Sequence, residues 1–217
     1  MISSSTGGEA DMKKLAIVFA GAIFVICAIP RDLLAEGGIK IGVSLAKFNW
    51  TEAAPPGLTL GYLPFIAGGF YFSADAGPFA IQPELIVIQK GGKYAAEGDS
   101  LAFRFTYIQA PLLLRLDVLR TGTVRPFCAV GGYGSYLYRA EGVLILGTEK
   151  TTTDLIDEYK RYDFGLVVGA GLTFKLSGIS LSLEGRYDHG LVNIVKNPAA
   201  GESMKNRCLM ALVGFGF

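Results

Sequence analysis

The chain has 217 residues, of which 51% are hydrophobic and 18% charged, with a formal net charge of +1. No basic surplus exists to displace counterions, which excludes a nucleic-acid partner held by bulk electrostatics. A bundle of membrane-spanning helices is excluded as well, because after the N-terminal segment no apolar run approaches the ~20 residues such a helix needs.

Met12, Lys13 and Lys14 form a positive n-region, and Leu15 to Ile29 form an apolar run followed by Pro30. This pattern predicts a secretory signal peptide cleaved after Ala35. Residues 1–11 are polar and precede the n-region, which makes Met12 the start that suits a signal. Ile26 stands where a lipoprotein signal wants a small residue, so Cys27 is not expected to be lipidated. The reading divides the chain into an N-terminal extension and cleaved signal (1–35) and a single domain (36–217).

Stretches of period two bounded by Gly, Pro, Asp and Ser predict strands near 38–48, 61–74, 79–91, 101–118, 124–141, 159–175, 179–192 and 206–217. In the first, Ile39, Ile41, Val43 and Leu45 oppose Lys40, Gly42, Ser44 and Ala46. In the fourth, Phe103, Phe105 and Tyr107 lie at odd positions, whereas Ile108, Ala110, Leu112, Leu114 and Leu116 continue the apolar face at even ones. One inserted residue near Tyr107 would restore a single face, which predicts a β-bulge there. In the sixth, Phe164, Leu166, Val168, Ala170, Leu172 and Phe174 face away from Asp163, Gly165, Gly169 and Gly171. The seventh opposes Ile179, Leu181, Leu183 and Tyr187 to Ser180, Ser182, Glu184, Arg186 and Asp188. The eighth ends with Leu209, Ala211, Val213, Phe215 and Phe217 on one face. An apolar face backed by polar residues and glycine suits lipid outside and a narrow polar interior within.

Every second connection is short: Asp75 to Pro78, Leu119 to Thr123, and Leu176 to Gly178. Long loops at one end and tight turns at the other are the arrangement of a membrane barrel. The sequence therefore predicts an all-β, eight-stranded antiparallel up-and-down transmembrane β-barrel. Cys128 and Cys208 fall at opposite ends of such a barrel, so no disulfide is expected.

The run Tyr107-Ile108-Gln109-Ala110-Pro111-Leu112-Leu113-Leu114-Arg115 resembles a signature of PorT-like outer-membrane β-barrel proteins. Arg125-Pro126-Phe127 with Gly131-Gly132, Asp163-Phe164-Gly165 with Gly169-Ala170-Gly171, and Arg186-Tyr187 with Gly190-Leu191-Val192-Asn193-Ile194 are similar to later strands of that family. Gln109 replaces the family's usual glutamate. The resemblance implies a barrel integral to the bacterial outer membrane and does not imply a chemistry. A Phe at the end of the last strand, Phe217, is similar to the sorting signal of such proteins.

Lys40, Glu84, Arg104, Arg115, Asp117, Asp163, Glu184, Arg186 and Asp188 fall on predicted interior faces and form a candidate lumen charge network. Buried charge is costly unless paired, so the expected role is a self-neutralising set of salt bridges. His189, the single histidine, shares the outward side of Tyr187, and no serine is placed to act with it; catalysis is not expected. No residue spacing suits zinc or calcium, and no cofactor is expected. Aromatic residues gather near strand ends, as in interfacial girdles. The apolar stretch Val143 to Leu146 in the longest connection is expected to prolong a hairpin above the membrane or to meet a partner.

The reading is thus an integral outer-membrane barrel, exported by its signal, with a structural or interaction role. A narrow solute or ion channel is the alternative, followed by an outer-membrane lipid hydrolase. The partners expected are outer-membrane lipid, the barrel insertion machinery, and an envelope protein met through the long loops.

Overall fold

A computed structural model describes residues 34–50, 59–96, 99–119 and 121–217; the predicted signal segment lies outside them up to residue 33. The strands are β1 (Leu34–Trp50), β2 (Thr59–Gly61), β3 (Leu63–Ala76), β4 (Phe79–Ala96), β5 (Asp99–Asp117), β6 (Val124–Leu146), β7 (Glu149–Asp154), β8 (Tyr162–Leu176), β9 (Ile179–Gly190) and β10 (Met204–Gly216). Antiparallel ladders run β1–β3–β4–β5–β6–β8–β9–β10 and return to β1, so eight strands close a ring. Closure pairs the backbone groups that an open sheet would leave at its edges, a necessity in hydrocarbon. The two short strands add to the ring's upper rim, β2 on β4 and β7 on β6.

Alternation decides what each strand shows to either side. The exterior carries Ile39, Ile41, Val43, Ile66, Phe70, Val87, Leu112, Leu114, Val130, Leu166, Val168, Leu183, Leu209 and Phe215, all exposed. The interior holds lysine, arginine, glutamate and aspartate, all buried. An apolar outside around a polar inside inverts a water-soluble barrel and suits lipid. Cys128, Ala170, Gly185 and Ala211 lie directly opposite one another on four successive strands. They leave a shallow apolar groove on this outer face, bordered by Leu116, Val168 and Leu209. Among the described residues, Cys128 and Cys208 are both free.

At one end the hairpins are tight. Gly77 (φ 64°) and Gly178 (φ 85°) take the left-handed conformation that the β3–β4 and β8–β9 turns require. At the other end the strands overrun the ring. β6 continues to Leu146 and turns back as β7, so the apolar stretch from Val143 prolongs a hairpin.

The predicted bulge in the fourth strand is corrected. Thr106 opposes Arg139 and Tyr107 opposes Leu137, so the extra residue is Tyr138, on β6. β5 keeps one phase: Phe105, Tyr107, Gln109, Pro111 and Leu113 all point inward. The phase switch instead falls on β6, where Leu137 and Ala140 are both buried. The aromatic residues mislead because apolar side chains also fill the upper lumen. Arg104 is corrected with them: it lies outside the lumen, exposed, opposite Glu141. Pro111, which has no amide hydrogen to donate, lies beside a second irregularity. The β4–β5 ladder lapses between the Pro83–Leu112 and Ile86–Gln109 pairs without a change of register.

An arginine on the apolar exterior tests its contact with lipid. Leu183→Arg, opposite Leu172 and Val213, should destabilise the barrel in bilayers by about 2–4 kcal/mol. Arginine at exposed Thr152 on β7 should be neutral. Equilibrium unfolding from lipid vesicles measures both, and equal tolerance would show that the band does not face lipid.

Candidate functional site in the barrel lumen

The lumen is filled in four layers. At the tight-turn end, Glu36 receives hydrogen bonds from Tyr71 (2.7 Å), Ser180 and Lys175. Across from it, Arg115 Nε donates to Asp117 (2.8 Å) and its terminal nitrogen to Thr173 (2.8 Å), while the guanidinium lies 3.9 Å from the centre of the Phe127 ring. Glu36, Tyr71, Lys175, Arg115, Asp117 and Thr173, with Ser73, Asp75 and Arg125, border a polar vestibule of about 80 Å³.

The middle layer is a closed cycle of alternating charge. Lys40 Nζ donates to Glu84 and to Glu184, each at 2.7 Å. Arg186 grips Glu84 with two nitrogens at 2.6 and 2.9 Å and reaches Glu184 with Nε at 2.7 Å. The four groups come from β1, β4 and β9, so the cycle ties distant walls together across the lumen. All are at most 4% exposed. Two cations and two anions cancel, and the bidentate contact is the strong form of such a pair.

Above it lies a layer around Lys90. Its ammonium is 3.5 Å from Asp163 and 4.0 Å from the centre of the Tyr133 ring. Asp163 Oδ2 accepts from Tyr133 (3.0 Å) and Asn206 (2.9 Å). Asp188 Oδ2 accepts from Gln109 Nε2 at 2.7 Å. The long-loop end is apolar: Phe48, Phe103, Phe105 and Tyr159 pack edge on or tilted, with ring centres 4.5 to 6.5 Å apart. Ile88, Leu137, Ile194 and Met204 pack around them, fully buried. Tyr159 belongs to a connection that bridges back to Val195. Burial, with the carboxylates of Glu158 and Glu202, pushes its phenol up to about 12, so it stays neutral. The interior expected to be polar throughout is therefore polar for its lower part and stoppered by hydrocarbon above.

Glycine makes room for this filling. Tyr71, Tyr133 and Phe127 lie across Gly38, Gly165 and Gly171, their direct partners on the neighbouring strands. A Cβ at Gly165 would stand 2.5 Å from the Tyr133 ring. The rings cover the bare backbone and reach into the lumen at once.

Of the predicted network, Lys40, Glu84, Glu184 and Arg186 form the cycle, Asp163 and Asp188 join the Lys90 layer, and Arg115 and Asp117 line the vestibule. Lys90, Gln82, Asn206 and Glu36 were not singled out from sequence. Lys90 shares the parity of Glu84, a usable signal hidden by its place beside Gly91 and Gly92 at the edge of a predicted loop. His189 lies outward, its ring 3.3 Å from the Tyr187 hydroxyl. Tyr94 faces inward and meets Phe103 edge on.

Removing one member of the cycle strands its partners. Glu184→Gln should destabilise the folded barrel by about 3–5 kcal/mol in equilibrium unfolding. Combining it with Lys40→Met should recover part of that loss, because the ammonium that Glu184 accepted from is then gone with its carboxylate. Additive losses would mean that the two do not act through one network.

A family model described as "Outer membrane protein beta-barrel domain" matches residues 35–196. No curated protein matches the chain. Solved structures that it resembles include Neisserial surface protein A, at 14% identity over 83% of this chain and 95% of that one, with a TM-score of 0.46. The attachment invasion locus protein Ail of Yersinia pestis follows at 12% identity, over 84% and 98% of the two chains, with a TM-score of 0.41. The outer membrane protein OprG of Pseudomonas aeruginosa shows 12% identity over 83% and 92%, with a TM-score of 0.47.

Proposed function

The chain belongs to the outer membrane protein β-barrel domain family, and from that premise we propose that it is a sealed, non-catalytic barrel that holds an interaction surface above the bacterial outer membrane. The filled lumen carries this reading. A cycle of salt bridges crosses the middle and an aromatic stopper closes the long-loop end, which disfavours passage of a solute. The interaction surface is the sheet that overruns the ring, where β4, β5, β6 and β7 stay paired from Ala96–Asp99 to Leu146–Glu149. Every residue of β7 is exposed, and its envelope partner would meet this hairpin. In this reading the chain is of PorT-like type, is exported by the segment before residue 36, and reaches its membrane through the insertion machinery.

Purified barrel in planar bilayers should give no reproducible single-channel currents. Steady currents that change when Glu84 or Arg186 is neutralised would overturn the sealed reading and favour a narrow ion channel.

Assembly supplies a second test. An alternating strand with aromatic residues at its end can add to a sheet edge of a receptor before folding. Phe217 is exposed, and its backbone pairs with Gly37 at 2.9 Å irrespective of the ring. Phe217→Ala should therefore lower the amount in outer-membrane fractions several-fold more than Phe174→Ala. Equal yields would reduce Phe217 to an ordinary interfacial aromatic.

A further inference from the structure

The charged residues buried in the described lumen do not balance. Lys40, Lys90 and Arg186 supply three positive charges, while Glu84, Glu184, Asp163 and Asp188 supply four negative ones. Lys40 and Arg186 are fully engaged by the two glutamates of the cycle. Lys90 alone remains for both aspartates, and it stands against Asp163.

Hydrogen bonding is short of the same thing. Five buried side-chain atoms among the described residues find no partner in the protein, and all five are acceptor oxygens: Gln82 Oε1, Gln109 Oε1, Asp163 Oδ1, Asp188 Oδ1 and Asn206 Oδ1. The lumen lacks donors and positive charge, never acceptors. The two deficits meet at Asp188 and Gln109. The amide nitrogen of Gln109 already serves Asp188 Oδ2, which leaves Gln109 Oε1 and Asp188 Oδ1 unpartnered on that same bonded pair. Both residues are at most 1% exposed. A water molecule would add donors and leave the charge uncorrected, whereas a proton or a small cation corrects both.

We propose that Asp188 and Gln109 form a binding site for one additional positive charge, taken up by the folded barrel as a proton or an alkali cation. The titratable groups that act on Asp188 are Lys90 and Glu84 from β4, Tyr133 from β6, Arg186 on β9 itself and Cys208 directly opposite on β10, while Asp163 from β8 competes for the same Lys90. Among them only Lys90 is a cation outside the closed cycle. Bound as a proton, the charge lets Asp188 become a donor as well as an acceptor. Bound as an alkali ion, it is held by oxygen ligands alone, which is what a hard cation prefers.

Equilibrium unfolding of the intact barrel from lipid vesicles tests the site, run across pH 5–9 in sodium, potassium or choline chloride at one ionic strength. Proton uptake on folding makes the folded state bind more protons than the unfolded one. Stability then falls as pH rises, by up to tenfold in the unfolding equilibrium per pH unit. Alkali uptake appears instead as stabilisation by sodium or potassium over choline, growing tenfold per decade of ion. Asp188→Asn, neutral and carrying its own donor, should abolish either dependence and match or exceed the wild type at pH 8. Asp163→Asn serves as the second variant: it too removes the excess charge and should flatten the same dependence. A wild type indifferent to both pH and cation, or an Asp188→Asn barrel that is weaker at pH 8 and keeps the wild-type dependence, would overturn the proposal.

Discussion

The cycle formed by Lys40, Glu84, Arg186 and Glu184 is the interaction on which the lumen depends. An eight-stranded ring encloses too little space for water to solvate charge freely, yet its inward positions must differ from its lipid-facing ones for the strands to hold their register. Alternating the signs and saturating the carboxylates resolves that conflict at 2.6–2.9 Å. The cost is specificity of position. Each member reaches across the lumen to another wall, so a slip of one residue on β1, β4 or β9 would turn a charge toward lipid and leave its partners unpaired.

The two ends of the barrel solve the filling problem differently. Toward the tight turns, Glu36, Arg115, Asp117 and Lys175 remain near water and need only loose pairing. Toward the long loops, the strands rise beyond the ring, and a polar lumen there would open a path from outside. Phe48, Phe103 and Phe105 close it from the walls, while Tyr159 is brought in by a connection rather than by a strand. The stopper thus depends on the 155–162 segment staying docked, and that segment is held by backbone bonds from Leu137 to Arg161 and from Lys160 to Ile194.

Period-two patterning made the ring, its strand order and its asymmetric connections legible, because lipid outside enforces apolar residues at every second position. The same rule failed where the interior is also apolar. Phe105 and Tyr107 carry no mark that distinguishes a stopper from a lipid face, so the sequence pattern puts the bulge on β5 and Arg104 inward. The change of phase occurs at Tyr138, whose neighbours Leu137 and Arg139 give only an ambiguous pattern. The four members of the cycle followed from parity: Lys40, Glu184 and Arg186 sit among glycine and serine on strands with clean alternation, and Glu84 shares the parity of Gln82. Their mutual contacts did not follow, because which walls face one another across a lumen is set by closure, and closure is not local.

Gln109 shows how far one residue can shift such an interior. A glutamate at this place, a second carboxylate beside Asp188, would deepen a negative surplus that is already present. The amide instead donates to Asp188 and adds no charge. That exchange relieves repulsion without supplying the missing positive charge, which is why the surplus stays at one rather than two. An interior built this way is coupled to its ionic surroundings by construction: whatever neutralises the last carboxylate stabilises the ring, the cycle beneath it and the stopper above it together.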